Sequence, residues 1–295
     1  MGKKRIRETI AGYGFLTPSL ISMSLFVILP IILLFYYSFT NYKGGPKYEF
    51  VGLKNFVNLF SDTCIDFMIK NTFILVCICV PIIVILSLGL AVILAQYFQG
   101  SRFGNLSKAI FFIPSVCADT IIAQIWKSLF ADSDFGVVNS IVRLFGGEMI
   151  DWLGTPATAV FVICFVKTWI NFGYFLIIFY AGIMDIPKSH LEAATIDGAG
   201  KFQQFRYIIL PELRHVTYFV LSINIIWAFQ VYNLIMVMTG GGPAFATTTL
   251  MFRIKNLAFN DWRLGYACAM SILAFVLIFV TTRVVNLFKN KDDDD

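Results

Sequence analysis

Glu192-Ala193-Ala194-Thr195-Ile196-Asp197-Gly198, nine further residues, then Ile208-Ile209-Leu210-Pro211: this stretch is a charged island between two long apolar segments. Neighbouring helices of a membrane protein are ordinarily joined by short polar turns. Here about thirty residues, Asp185 to Arg214, lie between them and carry a helical pattern of their own. Pro187 ends the preceding helix, because the residue before a proline is pushed out of the helical region. Ser189-His190-Leu191-Glu192 fits a capping box. Leu191, Ala194 and Thr195 share a face. Gly198 and Gly200 break the helix, since glycine enters the left-handed region cheaply. Phe202, Phe205, Ile208 and Ile209 form a second apolar stripe, and Pro211 sits near the start of the next apolar segment. The local chemistry predicts two short helices joined at a rigid elbow on a membrane surface. An amphipathic connector lying on the headgroups would share much of this pattern.

Composition agrees with a membrane setting. Of the 295 residues 58% are hydrophobic and only 14% charged, where soluble chains average about 25% charged. The 31 phenylalanines suit lipid-facing helices. Six cysteines do not form a disulfide framework. Cys77, Cys79, Cys117, Cys164 and Cys268 fall inside apolar segments, and Cys64 stands alone in a loop. Cys77-Ile78-Cys79 lacks metal-ligand spacing and reads as packing. The chain ends Lys291-Asp292-Asp293-Asp294-Asp295, which resembles an epitope-tag remnant. Without those four aspartates 14 acidic residues face 23 basic ones, and the net charge rises from +5 to +9. A native acidic tail is the other reading, and the residues leave both open.

Taken in order, the hydropathy predicts an all-α polytopic membrane protein with six spans. Residues 1–9 are a basic segment with Lys3, Lys4, Arg5 and Arg7; residues 10–288 form the transmembrane domain, with the elbow at 185–214; residues 289–295 are the tail. The first span runs from Ile10 to about Phe39, too long for a signal-peptide core, with Pro18 and Pro30 as kink sites. A loop from Thr40 to Lys70 contains the interfacial segment Phe50-Val51-Gly52-Leu53-Lys54-Asn55-Phe56. The second span is about Asn71 to Tyr97 and the third about Ala109 to Phe130. A polar loop, Ala131 to Thr155, carries Asp132, Asp134, Glu148 and Asp151. The fourth span is about Ala157 to Met184, the fifth about Val216 to Met238, and the sixth about Gly265 to Val285. Thr239-Gly240-Gly241-Gly242-Pro243 opens the polar loop before the last. Each has roughly the 20 apolar residues needed to cross hydrocarbon.

With the N-terminus inside, the inner segments hold 13 Lys/Arg and the outer loops eight. The positive-inside rule therefore puts both termini and the elbow in the cytoplasm. No Gly-x-x-x-x-Gly-Lys-Ser/Thr sequence occurs, so the chain does not cradle nucleotide phosphates in that way. No catalytic constellation stands out. His190 and His215 flank the elbow and read as loop surface.

The elbow is similar to the EAA loop of permease subunits of bacterial ABC importers: Glu-Ala-Ala, three residues, Gly, nine residues, Ile-X-Leu-Pro. The Phe-Val-Gly-Leu-Lys-Asn-Phe segment, Thr239 to Pro243, and Gly265-Tyr266-Ala267-Cys268-Ala269 resemble the carbohydrate-uptake branch, the maltose and glycerol-phosphate type. The extra N-terminal helices and large periplasmic domain of the maltose permease are absent, so the resemblance is to the compact six-helix members. It implies a bacterial cell-membrane subunit that is not an enzyme and holds no cofactor. ATP and Mg would be bound by two partner ATPases. The other partners would be a second, homologous permease, giving a heterodimer, an extracytoplasmic solute-binding protein, the sugar and the bilayer; nucleic acid is not expected. The elbow, lying between the fourth and fifth helices, would be the coupling element. Glu192, Ala193, Ala194, Asp197, Gly198 and Pro211 would meet the ATPase.

Intramembrane polar residues are costly and face a cavity or a partner. Asn171 and Tyr174 are three apart and share a face. Trp227, Gln230 and Asn233 recur at spacings of three. Aromatic faces and amides bind sugars, and this with the resemblance makes all five candidates for the substrate pathway. Packing between helices is the competing role. Lys167 reads as a structural or snorkelling lysine rather than a sugar contact. Two further functions compete with a sugar importer: an ABC permease for another solute, and a self-contained carrier. A carrier would need no elbow and would often show internal repeats or broken helices. An anion importer would call for basic residues in the cavity, and only Lys127 and Lys167 lie within spans.

Overall fold

The computed structural model describes residues 2–133 and 136–293, with side chains over that range except at 2–12, 63 and 288–293. Asp134 and the last two aspartates lie outside the described residues. So do the side chains of Lys3, Lys4, Arg5 and Arg7, and those of the tail read as a tag remnant.

Helices follow one another as α1 (Gly2–Met23), α2 (Leu29–Ser38), α3 (Lys54–Ser61), α4 (Thr63–Tyr97), α5 (Arg102–Val116), α6 (Asp119–Leu129), α7 (Val137–Leu144), α8 (Pro156–Asp185), α9 (Lys188–Ile196), α10 (Lys201–Gln204), α11 (Leu210–Glu212), α12 (Arg214–Phe229), α13 (Asn233–Met238), α14 (Leu250–Phe259) and α15 (Leu264–Asp293). Among the described residues extended pairing is limited to one isolated bridge, Thr40 to Phe50. Five helical stretches among the described residues are long and apolar enough to cross a bilayer: Tyr13–Ser38, Cys64–Tyr97, Pro156–Asp185, Arg214–Met238 and Leu264–Leu287. A sixth crossing exists if α5 and α6, bent by 100°, count as one.

That bend corrects the expected continuous third span. Pro114 stands in the last turn of α5 and offers no N–H to the ladder. Cys117 and Ala118 then turn extended, with ψ of 150° and 127°, before α6 begins at Asp119. The start of this segment is also earlier than expected: Ser101 caps α5 by accepting from the Gly104 N–H at 3.0 Å. The second span likewise begins early, and Cys64 lies in α4 rather than in a loop. The expected polar loop before the last span contains α14.

Two widened, π-helical turns precede prolines. Residues Ser24–Ile28 lead to Pro30, and Phe205–Ile209 lead to Pro211. In each case the residue before the proline donates five residues back, Leu29 to Ser24 and Leu210 to Phe205. A proline ring clashes with the carbonyl four residues behind it. The wider turn moves that carbonyl aside and lets the helix continue.

The chain divides into two compact units. One comprises Met1–Asp62 and Ile254–Leu273, the other Thr63–Arg253 and Ala274–Asp295. In the first, Asn55 is buried and donates to the carbonyls of Ser38 and Thr40, both at 2.8 Å, which anchors α3 under the end of α2. The apolar side chains from Phe15 to Phe26 are exposed, as suits a lipid-facing helix.

The second unit is built on α8, packed mainly against α4 and α5. Its core includes Phe175 and Phe179 of α8 and Ile83 of α4, all fully buried. Close approach is set by Gly173: a β-carbon there would overlap the Phe111 carbonyl of α5. Ser87 of α4 donates to the Phe172 carbonyl at 2.8 Å across the α4–α8 seam.

Candidate functional site

Two regions of the second unit carry the polar chemistry. The first is a cavity of about 470 Å³ lined by Phe112 and Ser115 of α5, Val116, Asp119 of α6, Lys167, Ile170, Asn171 and Tyr174 of α8, Trp227 of α12 and Gln230. Four of the five sequence-predicted pathway residues, Asn171, Tyr174, Trp227 and Gln230, therefore share one cavity. The rings of Tyr174 and Trp227 lie 5.0 Å apart, and Phe175 braces Trp227 at 5.5 Å. Asn233 does not line this cavity. Helix α12 ends at Phe229 and α13 restarts at Asn233, with Tyr232 between them at φ −139°, so the spacing of three does not carry one face through. The freed carbonyl of Val231 is taken up by the Thr249 hydroxyl at 3.0 Å.

Lys167 does not snorkel. Its side chain is 8% exposed and lines the cavity, since α8 is enclosed at this height. Asn171 is 5% exposed, and its Nδ2 has no hydrogen-bond partner within the described residues; the same holds for Ser115 Oγ on the facing wall. Ser115 and Asp119 are hidden in the sequence because they sit inside what reads as one apolar span. The signal was Pro114, which places the corner beside them. Lys127, the other lysine within a span, is bound elsewhere: it donates to the Val237 carbonyl at 2.9 Å, near the C-terminal end of α13.

The second region is the elbow. Helix α9 starts at Lys188, capped by Pro187, and no capping box forms between Ser189 and Glu192. Pro187 can precede a helix directly, so Ser189 falls inside the first turn. The box-like contact occurs one helix later, where Gln203 Oε1 accepts from the Gly200 N–H at 2.8 Å. Gly198 has φ +80°, and Gly200 does not, so Gly198 alone makes the left-handed turn. The Ala199 N–H reaches back to the Ala194 carbonyl at 2.9 Å, and the Gly198 N–H to Thr195 at 3.1 Å. These two hydrogen bonds form a Schellman cap, which closes α9.

Gln204, missed from the sequence, ties the elbow together. It is 4% exposed and donates to Thr195 Oγ1 at 2.9 Å and to the Ala199 carbonyl at 3.3 Å. His190 is exposed as expected, but on α9 rather than in a loop, with Nδ1 3.2 Å from Glu212 Oε1 of α11. Gln96 of α4 donates to the Lys201 carbonyl at 3.3 Å and fixes the elbow to the bundle. Glu192, Ala193, Asp197, Gly198 and Pro211 are exposed, and Ala194 is half-buried. Beside them Ile196, Phe202 and Tyr207 are 87%, 76% and 74% exposed. Large apolar side chains are thus held outward on a hydrogen-bonded element.

Comparison with known proteins gives a consistent result. A family model described as "Binding-protein-dependent transport system inner membrane component" matches residues 54–291. The chain is 35% identical over 289 residues to the trehalose/maltose transport system permease protein MalF of Thermococcus litoralis, covering 96% of this chain and 94% of that one. It is 33% identical over 281 residues to the sulfoquinovosyl glycerol transport system permease protein SmoG of Agrobacterium fabrum, covering 94% and 90%. Among solved structures, a chain of the bacterial alginate ABC transporter in complex with an alginate pentasaccharide-bound periplasmic protein superposes with a TM-score of 0.86 at 23% identity, covering 98% of this chain and 96% of that one. This last likeness is one of fold.

Proposed function

The chain belongs to the family of binding-protein-dependent transport system inner membrane components, and from that premise we propose that it is the permease subunit of an ATP-driven sugar importer. The observation that carries the reading is the convergence of Asn171, Tyr174, Trp227 and Gln230 on one cavity. Aromatic rings beside amides are the chemistry that holds a polyhydroxylated ring in a wet site. The names of the relatives add support, since both describe the transport of sugars or sugar derivatives.

In this reading the chain crosses the membrane six times, with α5 and α6 together forming the third crossing. Both termini and the elbow face the cytoplasm, as the distribution of basic residues supports. A second permease supplies the other half of the pathway. A solute-binding protein delivers sugar from outside, and two ATPases bind ATP and Mg. This chain performs no hydrolysis. It passes motion from the ATPases to its own helices through Glu192, Ala193, Ala194, Asp197, Gly198 and Pro211. The exposed Ile196, Phe202 and Tyr207 enlarge that contact. The hydrogen bonds of Gln204 and Gln96 make the elbow a lever rather than a loose loop, so a push on α9 moves α4 and α8.

The test is co-purification with the second permease, the ATPases and the binding protein, followed by reconstitution in liposomes. A panel of maltotriose, trehalose, cellotriose, chitotriose and trigalacturonate is offered with ATP inside. The expected result is ATP-dependent uptake of at least one sugar. Uptake that proceeds without the ATPases would favour a self-contained carrier.

A further inference from the structure

We propose that Lys167 and Asp119 are specificity-determining contacts that select an uncharged saccharide over an acidic one. The proposal rests on the importer reading above and adds two residues and a substrate class to it. Both side chains line the pathway cavity, and they are the two charged groups among its lining residues. Lys167 is nine-tenths buried, and its side chain reaches the cavity. One helical turn further along α8, the Asn171 Nδ2 is buried without a partner, and so is Ser115 Oγ near Asp119; both residues belong to the cavity wall.

A buried polar group without a partner is expensive. Such groups persist where a ligand completes them. Here the donors Lys167 and Asn171 sit on one wall, and the acceptor Asp119 sits with Ser115 at the α5–α6 corner. A sugar hydroxyl both donates and accepts. Neighbouring hydroxyls of one ring can therefore accept from Lys167 and donate to Asp119 at the same time. The two charges cancel, so a neutral sugar leaves no uncompensated charge in the site. A uronate would satisfy Lys167 but set a second carboxylate against Asp119. The corner after Pro114 places Asp119 at this site, which a straight third span would carry away from α8.

The experiment uses the complete complex in liposomes and the sugar panel described above. Wild type is expected to take up neutral members and not trigalacturonate. Lys167→Met and Asp119→Asn are each expected to raise the KM for the accepted neutral sugar by about tenfold or more, the scale of one charge-assisted hydrogen bond. The maximal rate and the retained partner subunits should change little. Asp119→Asn should also let trigalacturonate compete. Lys167→Arg keeps the charge and is expected to retain more affinity than Lys167→Met, which separates a contact from a fold defect. Uptake unchanged in both Lys167→Met and Asp119→Asn overturns this inference and leaves the importer reading standing, as does wild-type uptake of trigalacturonate in preference to the neutral sugars. Absence of ATP-driven uptake for every sugar in wild type overturns both.

Discussion

The Gln204 amide reaches across the elbow to Thr195 Oγ1 at 2.9 Å, while the Thr195 hydroxyl itself donates to the Leu191 carbonyl at 2.7 Å. One buried side chain thus joins the helix before the Gly198 turn to the helix after it. Replacing Gln204 by leucine removes both of its donors and strands the Ala199 carbonyl. The expected cost is about 1–3 kcal/mol of local stability. Hydrogen exchange at the amides of residues 197–203 should quicken, and ATP-driven uptake should fall while sugar binding by the complex persists. Unchanged exchange would assign the stiffness of the elbow to the bundle contacts instead.

Gly198 tests the turn alone. A β-carbon there meets nothing within 4 Å, so any penalty comes from φ +80° and not from a clash. That penalty is about 1–2 kcal/mol for a residue with a side chain. Gly198→Val is therefore expected to redirect α10 and reduce the ATPase retained on the purified permease pair. Glu192→Gln removes only a charge from an exposed position and should retain more ATPase than Gly198→Val. Normal retention and uptake in Gly198→Val would take the elbow out of the coupling role.

Trp227 and Asn171 test the cavity. Trp227→Ala removes the ring that faces Tyr174 at 5.0 Å, and Asn171→Ala removes the unmatched amide. Each is expected to lower sugar uptake by about tenfold, as loss of a binding contact worth roughly 1.4 kcal/mol would. Partner subunits should co-purify as before. Full transport by both variants would return these residues to helix packing.

Orientation is tested at Cys64, which is exposed near the start of α4. In a variant whose other cysteines are serine or alanine, an impermeant thiol reagent applied to intact spheroplasts is expected to label it. Labelling only after the membrane is opened would reverse the proposed topology.

Features under local control were legible in the residues alone. The lengths of the apolar segments reported the five long helices among the described residues, because the hydrocarbon core demands a run of about 20 residues whatever surrounds it. Gly198 reported its left-handed turn, because that conformation excludes most other residues. Asn171 with Tyr174, and Trp227 with Gln230, were legible as shared faces because each pair lies within a turn or so of one helix. Tertiary structure decided the rest. The corner at Cys117 and Ala118 separates α5, whose Phe111 backbone meets Gly173, from α6, whose Lys127 binds the end of α13. The break before Asn233 is sustained by Thr249, eighteen residues beyond the carbonyl it satisfies. Lys167 is buried because neighbouring helices enclose it, although its own flanking sequence would let a lone lysine reach water. Gln204 looked like one polar residue among several until the turn at Gly198 brought Thr195 within reach. Each of these depends on a partner distant in sequence or across a turn, and hydropathy and periodicity record only what a segment does along its own axis.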